Sequence, residues 1–168
     1  PQGVMRVEES LLVRKIREGT VIDHIPAGRA LDVLKLLGLT GKEGYTIAIV
    51  MNVPSKKLGR KDIVKVEGRF LSPEEVDEIA LIAPTATINI VKDYAVTLKR
   101  RVEVPPRIEG FLRCPNPSCI TNSPREPLRP RFEVISKVPL RLRCSYCGDE
   151  LSEEEVVRQL VGVHARSG

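Results

Sequence analysis

Apolar residues along the first hundred positions recur in two rhythms, one of period two and one of period near 3.6. LLVRKIREGTVIDHI (residues 11–25) reads as extended chain, with Gly19 marking a turn or bulge. In ALDVLKLLGL the apolar positions Ala30, Val33, Leu34 and Leu37 fall at helical spacing; Pro26 suits the first turn of that helix and Gly38 its end. TIAIVMNV and IVKVEGRF are strand-like, joined by PSKKLGRKD. SPEEVDEIALIA opens a second helix with Ser72 as N-cap, Pro73 at the first position and Glu75 three residues after the cap, a capping-box signature. TATINIVKDYAVTLK predicts two strands around Lys92-Asp93. The order is β-α-β-β-α-β with an extra strand, for which the natural packing is α+β: a ferredoxin-like antiparallel sheet with two helices on one face.

The rhythm breaks at KRRVEVPPRIEG, where Pro105 and Pro106 beside a cationic run read as a linker. Residues 1–104 and 105–168 are therefore expected to be two domains. The second is small and β-rich, and at roughly 60 residues it cannot rely on an apolar core alone. LSEEEVVRQLVGV predicts a closing helix, with Ser152 as cap and Glu153, Glu154 and Glu155 near its positive end. No internal repeat or low-complexity tract interrupts this organisation.

Composition adds constraints. With 42% hydrophobic and 29% charged residues in 168, a core is attainable, but there is no Trp and only three Phe and three Tyr. The core must come from Val, Ile and Leu, which favours sheet. No apolar run approaches ~20 residues, so no membrane-spanning helix is expected. The polar opening PQGVMRVEES lacks an apolar signal core, pointing to a soluble, cytoplasmic protein. The net charge of +5 suits an anionic partner, yet nucleic acid, free nucleotide or mere solubility would all account for it.

All four cysteines lie beyond the linker, as C-x4-C (Cys114, Cys119) and C-x2-C (Cys144, Cys147). Two close thiolate pairs suit a tetrahedral site for a soft metal, most often zinc. Two disulfides are the alternative, disfavoured in a reducing compartment and strained across two residues. Four cysteine ligands leave no open position for water, so one Zn2+ here would be structural, supplying ~10–16 kcal/mol of apparent folding free energy.

The adjacent Asp23 and His24 raise the question of catalysis. No nucleophile elbow, P-loop or dinucleotide fingerprint accompanies them, and the only other histidine is His164 near the C-terminus. Read alone, such a pair is either plain structure or an anion contact. Arg60, Lys61, Lys65 and Lys99 favour the second if neighbouring strands bring them together, with the aspartate accepting from ribose hydroxyls.

GTVIDHIPAG, LGRKDIVKVEGRFL, APTATINIVKDY and the pair CPNPSC and CSYC together resemble the regulatory chain of aspartate carbamoyltransferase, from about Leu12 to Leu151. The resemblance implies a non-catalytic subunit with an N-terminal allosteric domain and a C-terminal zinc domain contacting the catalytic chain. In that family the allosteric domain binds CTP, ATP or UTP, and regulatory-chain homodimers bridge catalytic trimers into a dodecamer that controls pyrimidine biosynthesis. Carried over by position, the effector site would take the backbone of Val13, Arg14, Lys15 and Ile16 to the base. Asp23 and Lys65 would lie near ribose and base, and His24 and Lys99 near the phosphates. Asn89, Val91, Tyr94 and Val96 would complete the pocket. Arg14 and Lys15 stand where well-known members have an acidic residue and an alanine. Asn116 matches a residue contacting the catalytic chain, whereas Ser118 and Gly148 replace an asparagine and a glutamate. The tail beyond Leu151 runs longer than the common pattern.

Two rivals remain at this level. A zinc-ribbon nucleic-acid binder would use the cluster of Arg129, Arg131, Arg141 and Arg143, although single-strand binders favour aromatics, which are scarce here. A stand-alone nucleotide-sensing domain with another partner is the second.

Overall fold

The computed structural model describes residues 15–125 and 127–167, with side chains as far as residue 162. The strands and helices are β1 (Gly19–Pro26), α1 (Ala30–Leu36), β2 (Thr46–Ser55), β3 (Gly59–Glu67), α2 (Pro73–Ile82), β4 (Thr87–Lys92), β5 (Ala95–Arg101), β6 (Arg107–Glu109), β7 (Arg131–Lys137), β8 (Leu140–Cys144), β9 (Glu150–Ser152) and α3 (Glu153–Ser167). They form two compact units. One takes the described chain up to Ala30 with Thr40–Ser72 and Thr85–Arg101; the other takes Leu31–Leu39, Pro73–Pro84 and the chain from Val102 on.

The first unit is a five-stranded, wholly antiparallel sheet in the order β2-β3-β1-β4-β5. Its first four strands have the split βαβ order of a ferredoxin-like sheet, and β5 extends the β4 edge. Alternation sorts the residues by face. Thr20, Ile22, Asp62, Val64, Val66 and Ile88 are buried on one side, while Val21, Asp23, Ile63, Lys65, Asn89 and Lys99 take the other.

Two bulges interrupt the sheet, in β1 between Ile22 and Ile25 and in β2 between Val50 and Val53. His24 at φ 56° and Asn52 at φ 58° occupy them. The extra residue in β1 returns Ile25 to the buried face, where it is fully covered like Ile22. The β4–β5 hairpin turns on Asp93 and Tyr94, both at positive φ (49° and 63°), the backbone of a two-residue type I′ turn.

Helix α1 ends as the sequence predicts. Gly38 at φ 69° donates to the Lys35 carbonyl, and Leu39 donates to the Leu34 carbonyl, a Schellman closure. Its start differs from expectation. Pro26 belongs to β1 and a turn in which Arg29 N–H donates to its carbonyl, and the helix begins four residues later. The buried Asp62 carboxylate accepts from Gly28 and Ala30 N–H at 2.8 and 3.0 Å, so the cap comes from β3 and not from local sequence. Other boundaries also move. Among the described residues the ladder starts at Gly19, and the part of the expected extended segment from residue 11 to 14 lies outside them; β2 and β3 close on a short turn after Ser55, and β5 takes up Arg100 and Arg101.

In the second unit a four-stranded antiparallel sheet runs β6-β7-β8-β9. Ile108, Phe132, Leu142 and Leu151 fill its buried side. Helix α3 is capped as expected, with Glu155 N–H donating to Ser152 Oγ at 3.2 Å, and it packs on α2 and β9. No helix of the described residues is long and apolar enough to cross a membrane.

Candidate functional site

Register places four side chains in one row across the first sheet. Lys65 faces Val21, Val21 faces Asn89, and Asn89 faces Lys99, so β3, β1, β4 and β5 each contribute one. They line a cavity of about 320 Å³, within the range of small-molecule sites. Nine of the twelve residues expected at an effector site line this one space: Lys15, Ile16, Asp23, Lys65, Asn89, Val91, Tyr94, Val96 and Lys99. His24 lies just outside it, and Val13 and Arg14 fall outside the described residues. Val21 and Ile63 line the cavity without having been expected there. Each sits two residues before an expected one on its strand, so period-two spacing was the signal that could have found them.

The cavity is graded along the strands. Ile16, Val91, Tyr94 and Val96 give an apolar end, with Tyr94 and Val96 largely exposed. Asp23, Ile63 and Lys65 stand toward the other end, where Lys61 Nζ donates to Asp23 Oδ1 at 2.9 Å. Burial pushes the Asp23 carboxyl up, but the Lys61 ammonium and the His24 backbone N–H, at 2.6 Å, hold it below the usual carboxylate range. Burial lowers the Lys65 amine, partly opposed by Asp23. Burial also lowers the His24 imidazole, with the charges of Lys61, Lys57 and Lys99 adding to it against Asp23. The imidazole is therefore neutral near pH 7, with lysine ammonium charges acting on it.

The geometry around His24 is not that of a catalytic triad. Thr87 Oγ1 lies 3.2 Å from His24 Nδ1, and Asp23 Oδ1 lies 4.0 Å from the same nitrogen. A triad places orienter and nucleophile on opposite ring nitrogens. Here both approach one, and Thr87 is buried.

In the second unit the four cysteines converge. Their sulfurs all lie within 4.8 Å of one another, with Cys114 and Cys147 Sγ 3.5 Å apart and Cys119 and Cys144 Sγ 3.7 Å apart. All four are free thiols. A tetrahedron with metal–sulfur bonds of about 2.3 Å has edges of about 3.8 Å, so the donor set fits one thiophilic ion. Burial pushes the Cys114 and Cys144 thiols up; at Cys119 burial is outweighed by hydrogen bonds with the Thr121 hydroxyl and N–H and with the Cys144 and Cys147 sulfurs, which together bring it to about 7. Local structure forms both knuckles. Asn122 Nδ2 donates to the Cys114 and Asn116 carbonyls, and Gly148 N–H returns to the Cys144 carbonyl at 2.9 Å.

The arginine cluster does not form an open basic face. Arg107 faces Glu133, Glu133 faces Arg143, and Arg143 faces Glu150, giving a row of alternating charge across β6 to β9. Arg131 pairs with Glu109 at 3.1 Å, and Arg141 and Arg143 both reach Glu150, at 3.0 and 3.3 Å. Arg129 lies against Gly110, where a Cβ would come within 2.4 Å of its Nε.

Together these features define a protein that joins a ferredoxin-like sheet carrying a graded polar cavity to a small β domain with a four-cysteine metal site. Residues 11–103 match the family described as aspartate carbamoyltransferase regulatory chain, allosteric domain, and residues 106–157 match its metal binding domain. The chain belongs to the family of aspartate carbamoyltransferase regulatory chains. It is 71% identical to the aspartate carbamoyltransferase regulatory chain of Thermofilum pendens, over 92% of this chain and 98% of that one. It is 69% identical to that of Hyperthermus butylicus, over 93% and 98%, and 63% identical to that of Korarchaeum cryptofilum, over 94% and 100%.

Proposed function

We propose that the chain is the non-catalytic regulatory subunit of an aspartate carbamoyltransferase, taking nucleoside triphosphates in the cavity and transmitting their presence to the catalytic chain. The observation that carries this reading is the graded cavity. Its apolar end suits a base stacked near Tyr94, Val91 and Val96. Asp23 and Lys65 suit the ribose, and His24, Lys61 and Lys99 suit the phosphates. CTP, ATP and UTP are the expected effectors. Residues 1–104 would serve as the allosteric domain and residues 105–168 as the docking domain, its four thiolates holding one structural zinc. The free thiols suit a reducing compartment, which supports a cytoplasmic assembly. Regulatory homodimers joining catalytic trimers into a dodecamer complete the proposal.

The test is copurification with a carbamoyl-transferring catalytic chain, then activity with and without each nucleotide. Calorimetry of the same nucleotides on the isolated chain separates binding from regulation, because equal affinity for two states of an assembly shifts nothing. A chain that binds no triphosphate would retain only the scaffold part of this proposal. The nucleic-acid reading is disfavoured by the ion-paired arginines. Affinity for single-stranded DNA that falls steeply with salt would revive it.

A further inference from the structure

Irregular chain leaves backbone N–H and C=O groups without a ladder, and each must find a partner elsewhere. The stretch from Phe111 to Ser118, which carries Cys114, has neither helix nor strand. Arg113, immediately before that cysteine, meets Gln159 of α3 in a matched pair. Arg113 N–H donates to Gln159 Oε1 at 2.7 Å, and Gln159 Nε2 donates to the Arg113 carbonyl at 2.8 Å. One side-chain amide thus does for Arg113 what a neighbouring strand would do. One residue on, the Cys114 carbonyl accepts from Asn122 Nδ2 at 2.9 Å. The backbone that aims the Cys114 sulfur is gripped from two elements.

Gln159 is itself held in place. Val156 and Leu160, on either side of it along the helix, are buried, and Nε2 also reaches Glu155 Oε1 at 3.3 Å. The metal binding domain match ends at residue 157, so Gln159 lies beyond the matched segment while its partner Arg113 lies within it. The clamp gives part of the long C-terminal tail a job that spacing and composition did not reveal.

We propose that Gln159 is a positioning residue for the metal centre: the docked α3 fixes the backbone before Cys114 and so sets how fast the metal leaves. The inference rests on the four cysteines being a metal site. Groups that orient metal ligands without touching the metal typically change affinity by about 10–100-fold. The chemistry separates the variants. Methionine at 159 keeps length and helix propensity but neither hydrogen bond, and glutamate keeps the acceptor while losing the donor.

The experiment loads the full chain with one equivalent of zinc and follows its transfer to an excess of a chromophoric chelator. Gln159→Met is expected to release zinc about tenfold faster than the parent, with Gln159→Glu between them. Glu154→Gln, an exposed change in the same helix, is expected to match the parent. Cobalt-loaded samples should all keep the spectrum of a four-thiolate tetrahedral site, showing that the ligand set is intact. Release by Gln159→Met at the parent rate overturns the inference, as does equal acceleration by Glu154→Gln. If circular dichroism shows that Gln159→Met has lost helix, Gln159→Glu decides alone, and a parent-like rate there overturns it. A parent chain that takes up no zinc overturns the metal reading first, and the inference with it.

Discussion

Lys61 Nζ stands 2.9 Å from Asp23 Oδ1, tying β3 to β1 at the charged end of the cavity. The pair holds Asp23 ionised and extended toward the site while keeping a cation next to His24. Both partners are only partly exposed, so solvent screens them less than a surface pair. An incoming polyphosphate would find Lys61 already fixed by its carboxylate partner, which lowers the ordering cost of binding.

Lys99→Ala tests the phosphate end. Lys99 projects from β5 in the same row as Asn89, Val21 and Lys65, and β5 is exposed throughout. Its loss should leave the fold and the metal site unchanged. A hydrogen bond to a charged group contributes about 1.5–3 kcal/mol, so CTP and ATP should bind about 10–100-fold more weakly. Calorimetry measures this directly. In the assembled enzyme the variant should keep basal activity and lose the nucleotide response. Parent-like binding by both Lys99→Ala and His24→Ala would place the site elsewhere.

His24 makes a prediction about pH. Its folded-state pKa lies below the ordinary 6.5, chiefly through burial and then through nearby cations. Between the folded and unfolded values the unfolded chain binds more protons, so stability must fall as pH drops below about 6.5. Above that value the imidazole is neutral in both states and contributes no slope. Thermal melts of the nucleotide-free chain from pH 8 to pH 5 should show this decline, and His24→Gln should flatten the part of it near pH 6. An unchanged slope in the variant would assign the decline to other groups.

The cavity was legible because a strand's alternation is written in its sequence. Asp23, Lys65, Asn89 and Lys99 sit at positions whose parity decides the face, while the roles proposed for them come from the resemblance alone. What was hidden depends on pairing between distant residues. Asp62 reads as one more charge in GRKDIVK, yet it caps a helix more than thirty residues away. The arginines read as a basic cluster because their glutamate partners come from other strands. The bulge at His24 was equally invisible: nothing in VIDHI tells which residue is the extra one until Ile22 and Ile25 are seen to be buried on the same face.

Removal of the metal should disable docking and spare the sheet. The thiols sit in irregular loops and short strands, where a bound dication would add to a small apolar core. A thiol-reactive mercurial should release one zinc per chain and dissociate the catalytic partner, with nucleotide binding by the isolated chain retained. Elemental analysis before and after treatment gives the stoichiometry. A metal-free chain that still binds its catalytic partner normally would show that the metal does not shape the docking surface.

Asp62 carries the strongest stability prediction. Its carboxylate is fully buried, and its two oxygens accept three backbone N–H groups. Gly28 and Ala30 share Oδ2, and Asn52, at positive φ in the β2 bulge, takes Oδ1 at 2.8 Å. Asp62→Ala leaves all three donors without that acceptor in a place water reaches poorly. Each such donor costs about 1–3 kcal/mol, and partial exposure of two of them lowers the sum, so a loss of about 2–4 kcal/mol is expected. Asp62→Asn keeps one acceptor oxygen but turns an NH2 toward backbone N–H groups, so it should fall between parent and Ala. The effect should reach the cavity as well. Lys61 and Ile63 flank Asp62 on the face of the sheet that carries the cavity, so releasing the β2 bulge and the start of α1 loosens the strand that carries them. Urea denaturation followed by the far-UV signal of the sheet gives the first quantity, and calorimetry with CTP below the melting range gives the second. Asp62→Ala with parent stability would mean that solvent reaches these N–H groups and that the β2 bulge and the start of α1 hold without the carboxylate.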